Sequence, residues 1–246
     1  MARAHKPART GFLQHVYGAG RRLAYAFFRA DMRHSEVEHR REFMRRAFHA
    51  LAFNGISGDY VEFGSHGGTT FALAHDEIIR WKKPRLMWAC DSFAGLPEQK
   101  GDVDFHPGWK KGKMATSLED FVELCRRNGI PDLAYRAVAG FYDRTLAGKA
   151  ADDPELPHDI ALAYVDCDLH SSTTIVLEFL RPRLKHGMII AFDDYFCFSD
   201  RTISGERKAF LDCFGDDGRF SFLPYVQFGW HGMSFIVEDR QLLPPA

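Results

Sequence analysis

At 246 residues the chain suits one large domain, or a domain with a helical arm. Its 46% hydrophobic and 26% charged residues exclude a disordered chain, and no stretch reaches the roughly 18 apolar residues of a membrane span. The net charge of −1 is uneven: the first fifty residues carry eleven Lys/Arg against four Asp/Glu, so the remainder sums to −8.

In chain order, residues 1–54 read as a basic helical extension. Within it "GFLQHVYGAGRRLAYAFFRA" (11–30) is interrupted by Arg21 and Arg22 and makes a poor signal-peptide core. Residues 36–53 place Val37, Phe43, Ala47, Ala50 and Leu51 at three- and four-residue intervals, which predicts a helix. The arm suits a lid, a homo-oligomer contact or a solvated helix packed on its own domain. A strand is expected at "GDYVEFG" (58–64), a helix at "GTTFALAHDEIIRW" (68–81) and a second strand at "PRLMWACD" (84–91). The Gly-, Pro- and charge-rich segment 92–115 is long for a connection and reads as a lid or substrate loop.

"TSLEDFVELCRRNG" (116–129) has the spacing of a capping box, Thr116 with Glu119, and a glycine stop at Gly129. A strand at 133–140 is followed by the buried strand "DIALAYVDCD" (159–168). The helix 171–184 is ended or kinked by Pro182, and "MIIAF" (188–192) forms another buried strand. Residues 204–214 read as helical, and "RFSFLPY" and "GMSFIVED" as a final pair of strands. Five cysteines, odd in number and without a C-x-x-C pair, point to a reducing compartment, with cytoplasm the default.

Alternating strands and helices predict an α/β fold with a mainly parallel sheet covered on both faces. Such sheets bind ligands beyond the carboxyl ends of their strands. Acids collect at those ends: Glu62, Asp91, Asp166, Asp168, Asp193 and Asp194. In "VEFGSHGGTT" (61–70), Gly64, Gly67 and Gly68 permit close approach of the backbone to a ligand, and the following helix start favours negative groups. Glu62 before that turn can hold an ammonium or hydroxyl group, and Asp91 can accept hydrogen bonds from a ribose diol. Carboxylates from "VDCDLHSS" and "AFDDY" repel one another unless a cation intervenes, and all-oxygen ligation suits Mg²⁺, Mn²⁺ or Ca²⁺. Some of these acids could instead cap the next helix or bind Arg.

"GDYVEFGSHGGTT", "DSFAGLPE", "AGFYDRTL", "ALAYVDCDLHSSTTIVLEFLRPRLKHGMIIAFDDY" and "GERKAF" together resemble the macrocin O-methyltransferase (TylF/MycF-type) family, across residues 55 to 210. The resemblance implies a Rossmann-like class I methyltransferase fold: a mainly parallel seven-stranded sheet with helices on both faces over residues 55–246, preceded by the helical extension 1–54. It implies S-adenosyl-L-methionine as cofactor, with Glu62, Gly64, Ser65 and Thr69 at its methionine end and Asp91 on the ribose. Ser92, Gly140 and Phe141 would lie along the adenosine. Asp166, beside the cofactor, would join Asp193 and Asp194 around a divalent cation, Mg²⁺ first. Two positions depart from the family's pattern: His170 stands where relatives often have Tyr, and Gly187-Met188 where many have Gly-Gly.

The implied reaction moves a methyl group to a hydroxyl of a small molecule, a sugar or natural-product glycoside. His170 and His231 are the candidate bases. Trp109, His106, Tyr195, Phe196, Phe198 and Trp230 could rim the acceptor pocket or be core. No nucleic-acid partner and no stable membrane insertion are expected. Two rivals stand beside this reading: a metal-dependent glycosyltransferase using Asp166-Cys167-Asp168, and a methyltransferase-like module without chemistry.

Overall fold

The computed structural model describes residues 10–242, the side chains of 10–25 and 27 excepted. Seven strands are formed: β1 (Asp59–Phe63), β2 (Met87–Asp91), β3 (Tyr135–Ala139), β4 (Ile160–Val165), β5 (Ile189–Phe192), β6 (Phe220–Phe228) and β7 (Gly232–Asp239). They make one sheet in the order β3-β2-β1-β4-β5-β7-β6. Pairings from β3 through β5 are parallel, and β7 runs antiparallel to both β5 and β6. Every residue of β4 and β5 is buried, the pattern of strands covered on both faces.

Period-two alternation divides the core. Tyr60, Met87, Leu162 and Tyr164 face one layer of helices, α1 (Thr10–Phe53), α2 (Thr69–Trp81) and α3 (Leu118–Arg127). Val61, Phe63, Trp88, Ala163 and Val165 face the other, α4 (Tyr142–Thr145), α5 (His170–Leu180) and α6 (Gly205–Phe214). The chain fills one half of the sheet through β1, β2 and β3, then crosses to β4 and β5. The order therefore reverses between β1 and β4, which opens a crevice at their carboxyl ends.

The seven-stranded α/β architecture expected from the sequence is present, with differences at element ends. The first helix is 44 residues long and starts well before residue 36. Its apolar periodicity is visible only where Phe43, Met44, Ala47, Phe48 and Leu51 are buried against the sheet, because residues 28–34 stay exposed and need no core-facing stripe. The expected capping box shifts by one: Ser117 caps α3, its Oγ accepting from Asp120 N at 3.1 Å. Thr116 turns instead to the glycine-rich turn, accepting from Gly67 N at 3.0 Å. The strand expected at 133–140 begins with a short 3-10 turn, Asp132–Ala134, and α5 passes into another at Arg181–Arg183, where Pro182 sits. β4 ends at Val165, so Asp166 and Asp168 lie beyond it. All five cysteines are free. No helix among the described residues is long and apolar enough to cross a membrane. Residues 1–9 of the arm and 243–246 of the main unit lie outside the described residues.

Candidate active site

The crevice at the β1/β4 reversal is a cavity of about 750 Å³. Its floor depends on Gly64, whose φ of 92° is left-handed and whose Cα faces the Asp166 carbonyl so closely that any Cβ would collide with it. Gly64 N donates to Cys90 O at 2.9 Å and Asp166 N to Phe63 O at 2.8 Å, which locks the exits of β1, β2 and β4 together. The turn continues through Gly67 and Gly68, both left-handed, into α2. Gly68 at the N-cap has no side chain to accept from the first turn of α2, and Thr69 and Thr70 at that helix start line the cavity. Ser65 Oγ is buried without a partner. Asp91 accepts from Ser65 N at 2.6 Å and Phe93 N at 2.7 Å, so the β2 carboxylate holds both turns while facing the cavity.

Five acids crowd the opposite wall. Asp166, Asp168 and Asp194 can bring one carboxylate oxygen each within 4.8 Å of the others, and Asp193, Asp194 and His231 form a second such set. Burial, then repulsion among neighbouring carboxylates, raises the proton affinity of Asp166, Asp168, Asp194 and Glu206. Glu206 is a brace: it accepts from Cys167 N at 2.8 Å and Asp194 N at 2.9 Å, tying the two acidic loops through their backbones.

Asp193 differs. Arg40 of α1 donates to both its oxygens, Nε at 2.8 Å and an Nη at 2.6 Å, and the Tyr164 hydroxyl donates to it as well. Burial alone would push this carboxyl up, but the Arg40 hydrogen bonds and charge, with help from His231 and Tyr164, hold it below the ordinary value. The Arg40 charge is reinforced in turn against the cost of its burial. Of the three acids expected around one cation, Asp194 belongs to both sets, Asp166 to the first and Asp193 to the second. Asp193 N extends the β5 ladder to Val165 O, so alternation sends its side chain toward the α1 layer, while Asp194 turns to Asp166 and Asp168.

Of the other residues singled out from sequence, Gly64, Thr69, Asp91, Ser92, Phe141, Asp166, Asp193 and Asp194 line the cavity; Glu62, Ser65, Gly140, His170 and His231 do not. Glu62 is buried and accepts from the Tyr60 hydroxyl; burial, with smaller effects from Asp193 and Asp91, raises its pKa to about 8. His170 opens α5 and pairs with Asp212 at 2.9 Å. His231 is buried with Nδ1 2.6 Å from the Asp193 carbonyl and Nε2 unpartnered. Trp109 lines the cavity, packed with Leu169, Cys197 and Leu96 and against the His106 ring. Tyr195 belongs to the core, Trp230 is exposed, and neither these nor Phe196 and Phe198 reach the cavity.

Arg40, Tyr164, Glu206 and Asp104 were not legible as site residues. Arg40 left a trace: it falls in phase with Val37, Met44, Ala47 and Leu51, a charge in the buried stripe of a helix.

A family model described as macrocin-O-methyltransferase (TylF) matches residues 28–207, well over half of the chain. Among curated proteins, the chain is 31% identical over 148 residues to the 8-demethyl-8-(2,3-dimethoxy-alpha-L-rhamnosyl)-tetracenomycin-C 4'-O-methyltransferase of Streptomyces olivaceus, covering 58% of this chain and 54% of that protein. It is 29% identical over 168 residues to the demethyldecarbamoylnovobiocin O-methyltransferase of Streptomyces niveus, covering 63% and 60%. The match thus spans less than two thirds of either relative's length. In fold the chain is similar to the O-methyltransferase NovP (TM-score 0.62, 23% identity, 82% of this chain and 80% of that one). It is likewise similar to the calicheamicin methyltransferase CalS11 (TM-score 0.65, 24% identity, 80% and 77%).

Proposed function

The chain belongs to the macrocin-O-methyltransferase (TylF) family, and from that premise we propose that it transfers a methyl group from S-adenosyl-L-methionine to a hydroxyl of a small-molecule acceptor, a sugar of a natural-product glycoside. The relatives' names point to that acceptor class. The observation that carries the reading is the pairing, in one cavity, of a glycine turn and uncapped α2 N-terminus with a carboxylate cluster on the facing wall. The α2 amides fit the carboxylate of the cofactor's methionine end, and Asp91 fits the ribose hydroxyls at the next strand end. The cofactor brings an already electrophilic methyl group, so the protein's work is chiefly to orient and desolvate.

The donor set also fits a divalent cation. Asp166, Asp168 and Asp194 offer oxygens only, and their mutual repulsion is relieved by a bound positive charge. A cation held there would act as a Lewis acid on an acceptor hydroxyl and lower its pKa. Glu206 keeps the two acidic loops in register. Trp109, Leu96 and Met114 on one wall, with Ile175 on α5, give an apolar surface that excludes water around a sugar face. His170 and His231 lie off the cavity, so the base is sought among the polar groups that line it, Asp168 first. Family membership favours methyl transfer over the glycosyl-transfer and non-catalytic readings. Titration calorimetry with S-adenosylmethionine and, separately, a UDP-sugar tests the choice: only the first should bind, and the reverse result would sink the proposal. Methyl transfer to a rhamnosylated aromatic polyketide tests the acceptor class.

A further inference from the structure

Helix α5 starts without a cap of its own. Leu169 at its N-cap has no side-chain acceptor, and the orphan amide two residues on, Ser171 N, is satisfied instead from 67 residues upstream, by Asp104 Oδ1 at 2.8 Å. The other Asp104 oxygen accepts from Ser171 Oγ at 2.8 Å and from Lys100 N at 2.7 Å. The side chain is fully buried, and its negative charge lies at the positive end of the helix. A second tie adjoins it, Gly205 N donating to Val103 O at 2.9 Å at the start of α6.

Asp104 belongs to the long segment 92–115, and both things it joins are cavity walls. Leu96, Trp109 and Met114 of that segment line one side; Ser171, Ser172 and Ile175 of α5 line the other. Inside the segment the Gln99 amide donates to the carbonyls of His106 and Trp109, at 3.1 and 2.6 Å, which ties the loop's own turns together. The glycine turn, the α2 N-terminus and Asp91 make no contact with Asp104 among its hydrogen bonds.

We propose, on the footing of the acceptor site above, that Asp104 is the positioning residue for the acceptor: it clamps the 92–115 loop onto the N-terminus of α5 and so sets the width and rigidity of the acceptor wall. Cofactor binding rests chiefly on the glycine turn, the α2 N-terminus and Asp91, none of which Asp104 hydrogen-bonds, so it should be the less affected of the two. Asp104→Ala leaves Ser171 N unpaired and frees the loop, while Asp104→Asn keeps one oxygen that can accept from Ser171 N and restores part of the clamp.

The test measures both variants and the wild-type chain with a rhamnosylated aromatic polyketide as acceptor. Asp104→Ala should raise acceptor KM by about tenfold or more with a smaller effect on kcat, and leave the S-adenosylmethionine Kd within about twofold. Hydrogen exchange in residues 96–114 should quicken, and Asp104→Asn, which also serves if the alanine variant fails to fold, should fall between. Faster exchange with unchanged acceptor KM overturns the proposal and leaves Asp104 a structural cap only; cofactor Kd weakening in step with KM also overturns it. A wild-type chain that methylates none of the glycosides offered would remove the acceptor reading instead. Exchange then decides the clamp alone, and unchanged protection of 96–114 in Asp104→Ala overturns it.

Discussion

Arg40, on the long first helix, holds both carboxylate oxygens of Asp193, at the exit of the fifth strand, across 153 residues of sequence. The contact is a two-pronged guanidinium–carboxylate pair, with the Asp193 side chain 4% exposed and that of Arg40 20%. It fastens the helical arm to the edge of the acidic cluster, and it sets Asp193 apart from the other acids. A residue at one end of the family-like "DDY" motif thereby ties the arm to the site.

Replacing Arg40 by Ala leaves a buried carboxylate without its partner. Stability should fall by about 3 kcal/mol, the usual cost of breaking such a pair from one side. In the same variant Asp193 is released toward the cluster, so Mg²⁺ or Mn²⁺ should bind more tightly than in wild type by calorimetry. Unchanged cation affinity would mean that Asp193 is no ligand even when free.

Asp194 is shared by both candidate ligand sets. Asp194→Asn removes a charge that burial already disfavours, so folding should be preserved while cation affinity drops by about tenfold or more. S-adenosylmethionine binding, resting on the α2 side, should persist. Asp193→Ala is the poorer experiment, because it strands the Arg40 charge. If Asp194→Asn binds Mn²⁺ as wild type does, measured by electron paramagnetic resonance, the cluster does not hold the cation.

Glu62 gives a pH signature. In the folded chain its pKa is raised to about 8 from an ordinary 4.5, first by burial. Between those values the folded state keeps a proton that the unfolded state releases, so this group's contribution to stability falls as pH rises through the window. Glu62→Gln mimics the protonated form. It should change stability little at pH 5 and gain against wild type at pH 8.5, read by urea denaturation. Equal effects at both pH values would rule this out.

Phe43 seats the arm. Its ring stacks on Phe228 at 4.6 Å and tilts against Tyr164 at 6.1 Å, with no exposed surface. Phe43→Ala should cost about 3–5 kcal/mol and loosen the arm enough to lower Arg40's hold on Asp193. Limited proteolysis within residues 28–40 should quicken in parallel; a loss of stability without that change would show that the arm is held elsewhere.

Much of the fold could be read in advance because strands buried on both faces leave an unbroken apolar signal. "IALAYV" and "MIIAF" announced β4 and β5, and the acids just past them marked the end of the sheet at which the cavity lies. Helix ends were less legible. A cap depends on which hydroxyl happens to face the amide, and Thr116 and Ser117 are both suited until the glycine turn claims the first.

The sequence by itself determined the alternating α/β order, the glycine turn after β1 and the clustering of carboxylates at one edge of the sheet, since these follow from local pattern and strand periodicity. Tertiary structure decided which acids work together. Asp193 and Asp194 are neighbours in the chain, yet Asp193 is held by Arg40 while Asp194 also reaches Asp166 and Asp168. It also decided that Asp104 caps a helix 67 residues away. Charge pairing and capping are satisfied by whatever donor lies within about 3 Å in space, and separation along the chain carries no record of that.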